Sequence, residues 1–115
     1  MQTTEVISEK GTVSVIDGLT QPLRTGGDLL DVLMNSPSDT VALEAGDLDA
    51  RFFDLKSGIA GDMLQKVSNY QRRLIILGDF TDVTSQSLRD FIYESNQQGR
   101  VIFAATLAEA LSRLK

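Results

Sequence analysis

Four consecutive aliphatic residues, Leu74-Ile75-Ile76-Leu77, followed at once by Gly78, constrain this chain more than any other feature. A strand with one face in water alternates apolar and polar side chains, whereas an unbroken apolar run of this length fits a strand covered on both faces. The flanking segments carry helical spacing that could supply the cover. Ile59, Met63, Leu64, Val67 and Tyr70 fall on one face of a helix running from Ser57 to about Tyr70. On the other side, Thr84 is placed to cap a helix lined by Leu88, Phe91, Ile92 and Ser95 and ending near Gly99. A buried strand between two amphipathic helices points to an α/β fold.

The remaining segments extend that pattern in both directions. Val101 to Ala105 is the last strand, and Thr106-Leu107-Ala108-Glu109 is a capping box that opens a helix with Leu107, Ala110, Leu111 and Leu114 on one face. Near the amino terminus, short strands at about Glu5 to Glu9 and Thr12 to Ile16 are joined through Lys10-Gly11, which fits a tight hairpin. Val13 and Val15 alternate with Thr12 and Ser14, as in a strand with one wet face. Asp17 to Gly27 lacks periodicity and reads as a loop. Thr25 is an N-cap with Asp28 in the capping-box position, and the helix from about Gly26 to Asn35 presents Leu29, Leu30 and Leu33 before Pro37 stops it. Thr40 to Glu44 is a third strand, after which Phe52 and Phe53 anchor a connection. The order β-β-α-β-α-β-α-β-α predicts a mostly parallel five-stranded sheet with an N-terminal antiparallel hairpin and about four helices. At 115 residues this is one domain, 1–115.

What the chain lacks narrows its chemistry. It has no Cys and no His, which removes disulfides, thiolate nucleophiles, the common zinc and haem ligands and His-based triads. With 11 Lys plus Arg against 16 Asp plus Glu, the net charge of -5 disfavours nucleic acid and anionic membranes as partners. The first ten residues contain Glu5 and Glu9 and no apolar stretch suited to a signal peptide, so a cytoplasmic location is expected. No cofactor or metal is implied.

Chemistry, if present, belongs in the loops at the carboxyl ends of the strands. Asp54, Lys56, Ser57, Gly58 and Gly61 place an acid, a base, a hydroxyl and two glycines at a strand-to-helix transition. The free N–H groups and partial positive charge of a helix start would favour an anion or a phosphorylated Ser57 there. Gly58 and Gly61 would let another backbone come close. The plainer reading is that Ser57 is an N-cap and the glycines pack against the sheet. Asp47, Asp49, Asp54, Asp79 and Asp82 also fall near strand ends, where converging carboxylates could hold Mg²⁺, although aspartate is common in turns for its own reasons. Near the end of the third helix, Tyr93 and Glu94 lie off the apolar stripe, where they could face a partner. Asn96 sits near the C-cap on a face that reads as wet.

Phe53-Asp54-Leu55-Lys56-Ser57-Gly58-Ile59-Ala60-Gly61, with the following helix and Leu74-Ile-Ile-Leu-Gly78, resembles the centre of the STAS domain of bacterial anti-sigma-factor antagonists, the SpoIIAA-like group. The closing strand and helix, Val101 to Leu111, are similar too. More closely, Phe52-Phe-Asp-Leu55, Ala60-Gly61, Gly78-Asp79-Phe80 and Phe91-Ile-Tyr-Glu-Ser-Asn96 resemble a bacterial domain-of-unknown-function family over Phe52 to Leu114. The STAS resemblance implies a phosphoacceptor serine in an Asp-Ser-x-Gly-type loop that docks a partner kinase. The nearest counterparts are Asp54 and Ser57, with the loop one residue longer and Lys56 before the serine.

Together these observations lead us to expect a non-enzymatic binding or regulatory module whose protein partner, such as a regulatory kinase or sigma-factor system, or small anionic ligand meets the Asp54 to Gly61 loop. Asp79 would lie beside it. The alternative is a Mg²⁺-dependent phosphoryl-transfer or hydrolytic enzyme with Asp54 and Asp79 as ligands and Lys56 as charge stabiliser. Self-association as a homodimer, through an exposed edge strand or helix, is compatible with either.

Overall fold

A computed structural model describes every residue, Met1–Lys115. Five strands form one sheet in the order in which they occur along the chain: β1 (Gln2–Ser8), β2 (Gly11–Asp17), β3 (Thr40–Glu44), β4 (Arg73–Leu77) and β5 (Val101–Ala104). The first two make an antiparallel hairpin, and all later neighbours are parallel. Helices α1 (Gly26–Met34), α2 (Ile59–Asn69) and α3 (Gln86–Gln98) form the crossovers, and α4 (Leu107–Arg113) follows the last strand. This is the mixed α/β architecture that the alternating pattern predicts.

Every crossover joins adjacent strands in the same direction across the sheet, so crossovers of one hand put their helices on one face. The side chains divide accordingly. Val41 and Leu43 of β3, Leu74 and Ile76 of β4, and Val101 and Phe103 of β5 pack with Leu29 and Leu33 of α1 and Met63 and Val67 of α2. The intervening Ala42, Ile75, Ile102 and Ala104 face Ala110 of α4 and Leu114 at its C-cap. The aliphatic run in β4 needs cover on two faces, and α4 provides the second.

Local capping follows the sequence with a few corrections. Thr25 Oγ1 accepts the Asp28 N–H at 3.0 Å, and Thr106 Oγ1 accepts the Glu109 N–H at 3.2 Å, so α1 and α4 start as expected. The Glu109 carboxylate turns to Arg113 instead of completing the box. The cap of α3 is Ser85, not Thr84; its hydroxyl accepts the Leu88 N–H. Tyr70 leaves the apolar face and is exposed at the end of α2. Ser14 is completely buried, which overturns the wet face expected for β2. Its hydroxyl donates to Glu5 Oε1 at 2.7 Å, and the Ser38 hydroxyl donates to the same oxygen at 2.6 Å. Alternating polar residues signal solvent only when no polar partner lies opposite, and here Glu5 of β1 is that partner.

The outer edge of β5 is closed by side chains from α3. Ser95 Oγ donates to the Val101 carbonyl at 2.6 Å, while the Asn96 amide donates to the Phe103 carbonyl at 3.1 Å and accepts the Phe103 N–H at 2.8 Å. Asn96 is therefore a structural clamp and not a residue of a wet helix face. Such a seal keeps an edge strand from pairing with another chain.

Candidate functional site

Between β3 and α2 the chain makes three short 3-10 turns, Ala45–Asp47, Ala50–Phe53 and Leu55–Ser57. Each is held by an aspartate, because a short carboxylate reaches a backbone N–H two or three residues away. Asp47 accepts from the Glu44 N–H at 2.9 Å, Asp49 from the Arg51 N–H at 2.9 Å and Asp54 from the Lys56 N–H at 3.2 Å. The loop aspartates are thus spent on local geometry. No group of three or more His, Cys, Asp or Glu side chains that could hold a metal gathers anywhere in the structure.

These turns deliver Ser57 and the start of α2 to the surface. The helix begins at Ile59, two residues later than the sequence suggests, and its N-cap is Gly58 in the left-handed region at φ 80°. Ser57 ends the preceding turn. Its hydroxyl donates to the Arg51 carbonyl at 2.6 Å and accepts the Ile59 N–H at 3.2 Å, so it still closes the helix start from one residue upstream. Asp54, Lys56, Ser57, Gly58 and Gly61 are all exposed. A Cβ added at Gly58 or Gly61 would meet no atom within 4 Å, so these glycines do not serve packing against the sheet. The next residue, Asp62, accepts the Gly26 N–H at 2.6 Å and pins α2 to the start of α1.

Beneath this surface lies an aromatic cluster that sequence reasoning missed. The chain has five phenylalanines, and all of them join it. Phe103 of β5 stands against Phe52, Phe80 and Phe91 with ring centroids 6.3, 5.5 and 6.0 Å apart. Phe53 bridges Phe52 at 5.0 Å and Phe80 at 6.1 Å. The cluster therefore ties the turns before α2 to the Gly78-Asp79-Phe80 turn after β4. The sequence signal was the Phe52-Phe53 pair, but its partners lie far along the chain.

Asp79 serves a different turn from the other candidate residues. Its carboxylate accepts from the Thr81 N–H at 3.0 Å and hydroxyl at 2.6 Å, and it lines a cavity of about 300 Å³ with Phe80, Asn96, Phe103 and Arg113. A larger polar cavity of about 460 Å³ opens at the opposite end of the sheet between Glu5, Ser38, Thr40 and Arg73. The buried Thr40 hydroxyl there has no hydrogen-bond partner.

Two carboxyl groups are perturbed. The Arg51 side chain and N–H hold Asp49 below the ordinary carboxylate value, and the Thr81 hydroxyl and N–H do the same for Asp79. A carboxyl depressed in the folded state adds stability above its unfolded pKa of 3.8 and loses it as the pH falls through the folded value. Thermal melts between about pH 5 and pH 2 should accordingly show a falling midpoint, and a shallower fall in Asp79→Asn or Asp49→Asn. Asp79 is exposed, and the half-buried Asp49 is paired with Arg24 and Arg51, which are themselves largely exposed, so the effect is small.

The architecture defines a compact α/β module with a mixed sheet, both faces of which are covered by helices. Its sequence places it more narrowly: the chain belongs to the family described as Domain of unknown function (DUF4180), whose pattern matches residues 8–114. The match extends the similarity seen from Phe52 onward back through α1 and β2 to residue 8, the last of β1. No curated protein and no solved structure matches the chain. No helix is long and apolar enough to cross a membrane.

Proposed function

We propose that this chain is a non-enzymatic, STAS-like binding module of the cytoplasm, and that a protein partner docks on the exposed segment Asp54 to Gly61. The observation that carries this reading is Gly61. It lies in the first turn of α2 at an exposed position where a methyl group would touch nothing. Glycine in a helix costs about 1 kcal/mol relative to alanine, and no contact inside the fold offsets that cost. Gly58 differs, since its positive φ explains it. The bare surface over Gly61 gives a partner's backbone room to approach. Ser57, four residues earlier and just before the helix start, is exposed as well, with Lys56 and Asp54 as charges nearby in sequence. A phosphate on Ser57 would stand at the positive end of α2, which gives regulation by modification an electrostatic basis.

Gly61→Ala should therefore stabilise the isolated protein by about 0.5–1 kcal/mol and raise its melting midpoint by roughly 2–5 °C. A lower midpoint would mean that the fold itself requires this glycine. Docking is tested by placing a photo-reactive residue at Lys56 in the native host. A discrete adduct is expected there, none from the same probe at Arg100 on the opposite end of the sheet, and loss of the adduct in Gly61→Arg. Equal adducts at both positions, or one indifferent to Gly61→Arg, would defeat the proposal. The enzyme alternative requires millimolar Mg²⁺ to raise the melting midpoint. Asp54 and Asp79 serve separate turns, so no rise is expected.

A further inference from the structure

The two edges of the sheet are treated differently. Side chains of Ser95 and Asn96 close β5, whereas β1 pairs with β2 on one side and has no such seal on the other. Edge strands of monomers are commonly protected by lysine, proline, a bulge or an inward-pointing charge. The seven residues of β1 contain no lysine, proline or bulge, and their single charge, the inward-turned Glu5, already has the Ser14 and Ser38 hydroxyls as partners, so a strand added at the edge would not strand it. Ile7 on this strand is 88% exposed, the most of any large apolar residue. A bare, nearly uncharged edge with an exposed β-branched residue is a template for another strand.

We infer that β1 pairs antiparallel with β1 of a second copy of this chain, joining the two sheets into one. A two-fold axis perpendicular to the sheet keeps each face on its own side, so one residue must stand opposite its own counterpart. Centring on Glu5 would oppose two carboxylates. Centring on Val6 avoids that and sets Ile7 against the aliphatic stem of the other copy's Glu5. It also gives continuity. Val6 lies opposite Val13 in its own hairpin, and Val13 belongs to the core under α4, so a Val6–Val6 contact carries that core across the axis. A single edge of this length is small beside the ~800 Å² per partner of a standard interface, so dissociation in the micromolar range is expected.

Sedimentation of the full chain from about 1 μM to 1 mM should show a monomer that becomes a dimer, with Ile7→Lys monomeric throughout. Ile7 is so exposed that Ile7→Lys should melt like wild type at low concentration. The register has its own readout. The chain has no cysteine, so Val6→Cys should oxidise to a disulfide dimer faster than the surface control Ser112→Cys. A wild type monomeric at 1 mM, or a dimer that persists in Ile7→Lys, overturns the β1 interface. Val6→Cys cross-linking no faster than the control overturns the Val6-centred pairing.

Discussion

Phe103→Ala is expected to destabilise the fold by about 3–5 kcal/mol, the cost of truncating a buried aromatic whose neighbours cannot collapse into the space. Phe103 is 3% exposed and is the ring on which Phe52, Phe80 and Phe91 converge. Those partners come from the turn before α2, the turn after β4 and the middle of α3, so one truncation loosens three connections at once. Against a total stability of about 5–15 kcal/mol for a domain, the loss is large. Urea unfolding should report it as a lower midpoint with an unchanged slope. A loss below about 1 kcal/mol would mean that the aspartate-capped turns hold the candidate surface without the aromatic cluster.

Asn96→Ala is expected to cost about 2–4 kcal/mol, because it leaves both backbone groups of a buried residue without partners. Phe103 cannot turn its N–H and carbonyl to water without leaving the core. The same change opens the β5 edge, so the variant should also associate as its concentration rises, which sedimentation would detect. Asn96→Asp should fall between wild type and Asn96→Ala, since it keeps the acceptor for the N–H but faces the carbonyl with a second oxygen. A loss below about 0.5 kcal/mol in Asn96→Ala would show that water replaces the amide and that β5 is not sealed by it.

The fold was legible where one local rule decided the matter. An aliphatic run cannot be half wet, Thr25 and Thr106 have hydroxyls ideally placed for caps, and Gly99 ends α3 in the left-handed region as a C-cap glycine does. The local geometry around the candidate residues was legible for the same reason: a serine that closes the start of α2 and a glycine in the left-handed region are set by neighbours in sequence, whereas the three 3-10 turns between β3 and α2 were not expected. What escaped depended on partners far along the chain. Ser14 looks solvated until Glu5 and Ser38 are placed around it, and Asn96 looks like a surface polar residue until β5 is laid against α3. The start of α2 shifted from Ser57 to Ile59 because the Leu55–Ser57 turn uses the serine to bond back to Arg51.

The docking surface is tested most directly by amide spectra of the isotopically labelled full chain, in buffer and in lysate of its native host. Signals of residues 54 to 61 should weaken first and most, and Gly61→Arg should restore them. Spectra that match in both solutions, or attenuation centred on another face while these amides keep their intensity, would contradict the assignment of this loop as the place where the protein acts.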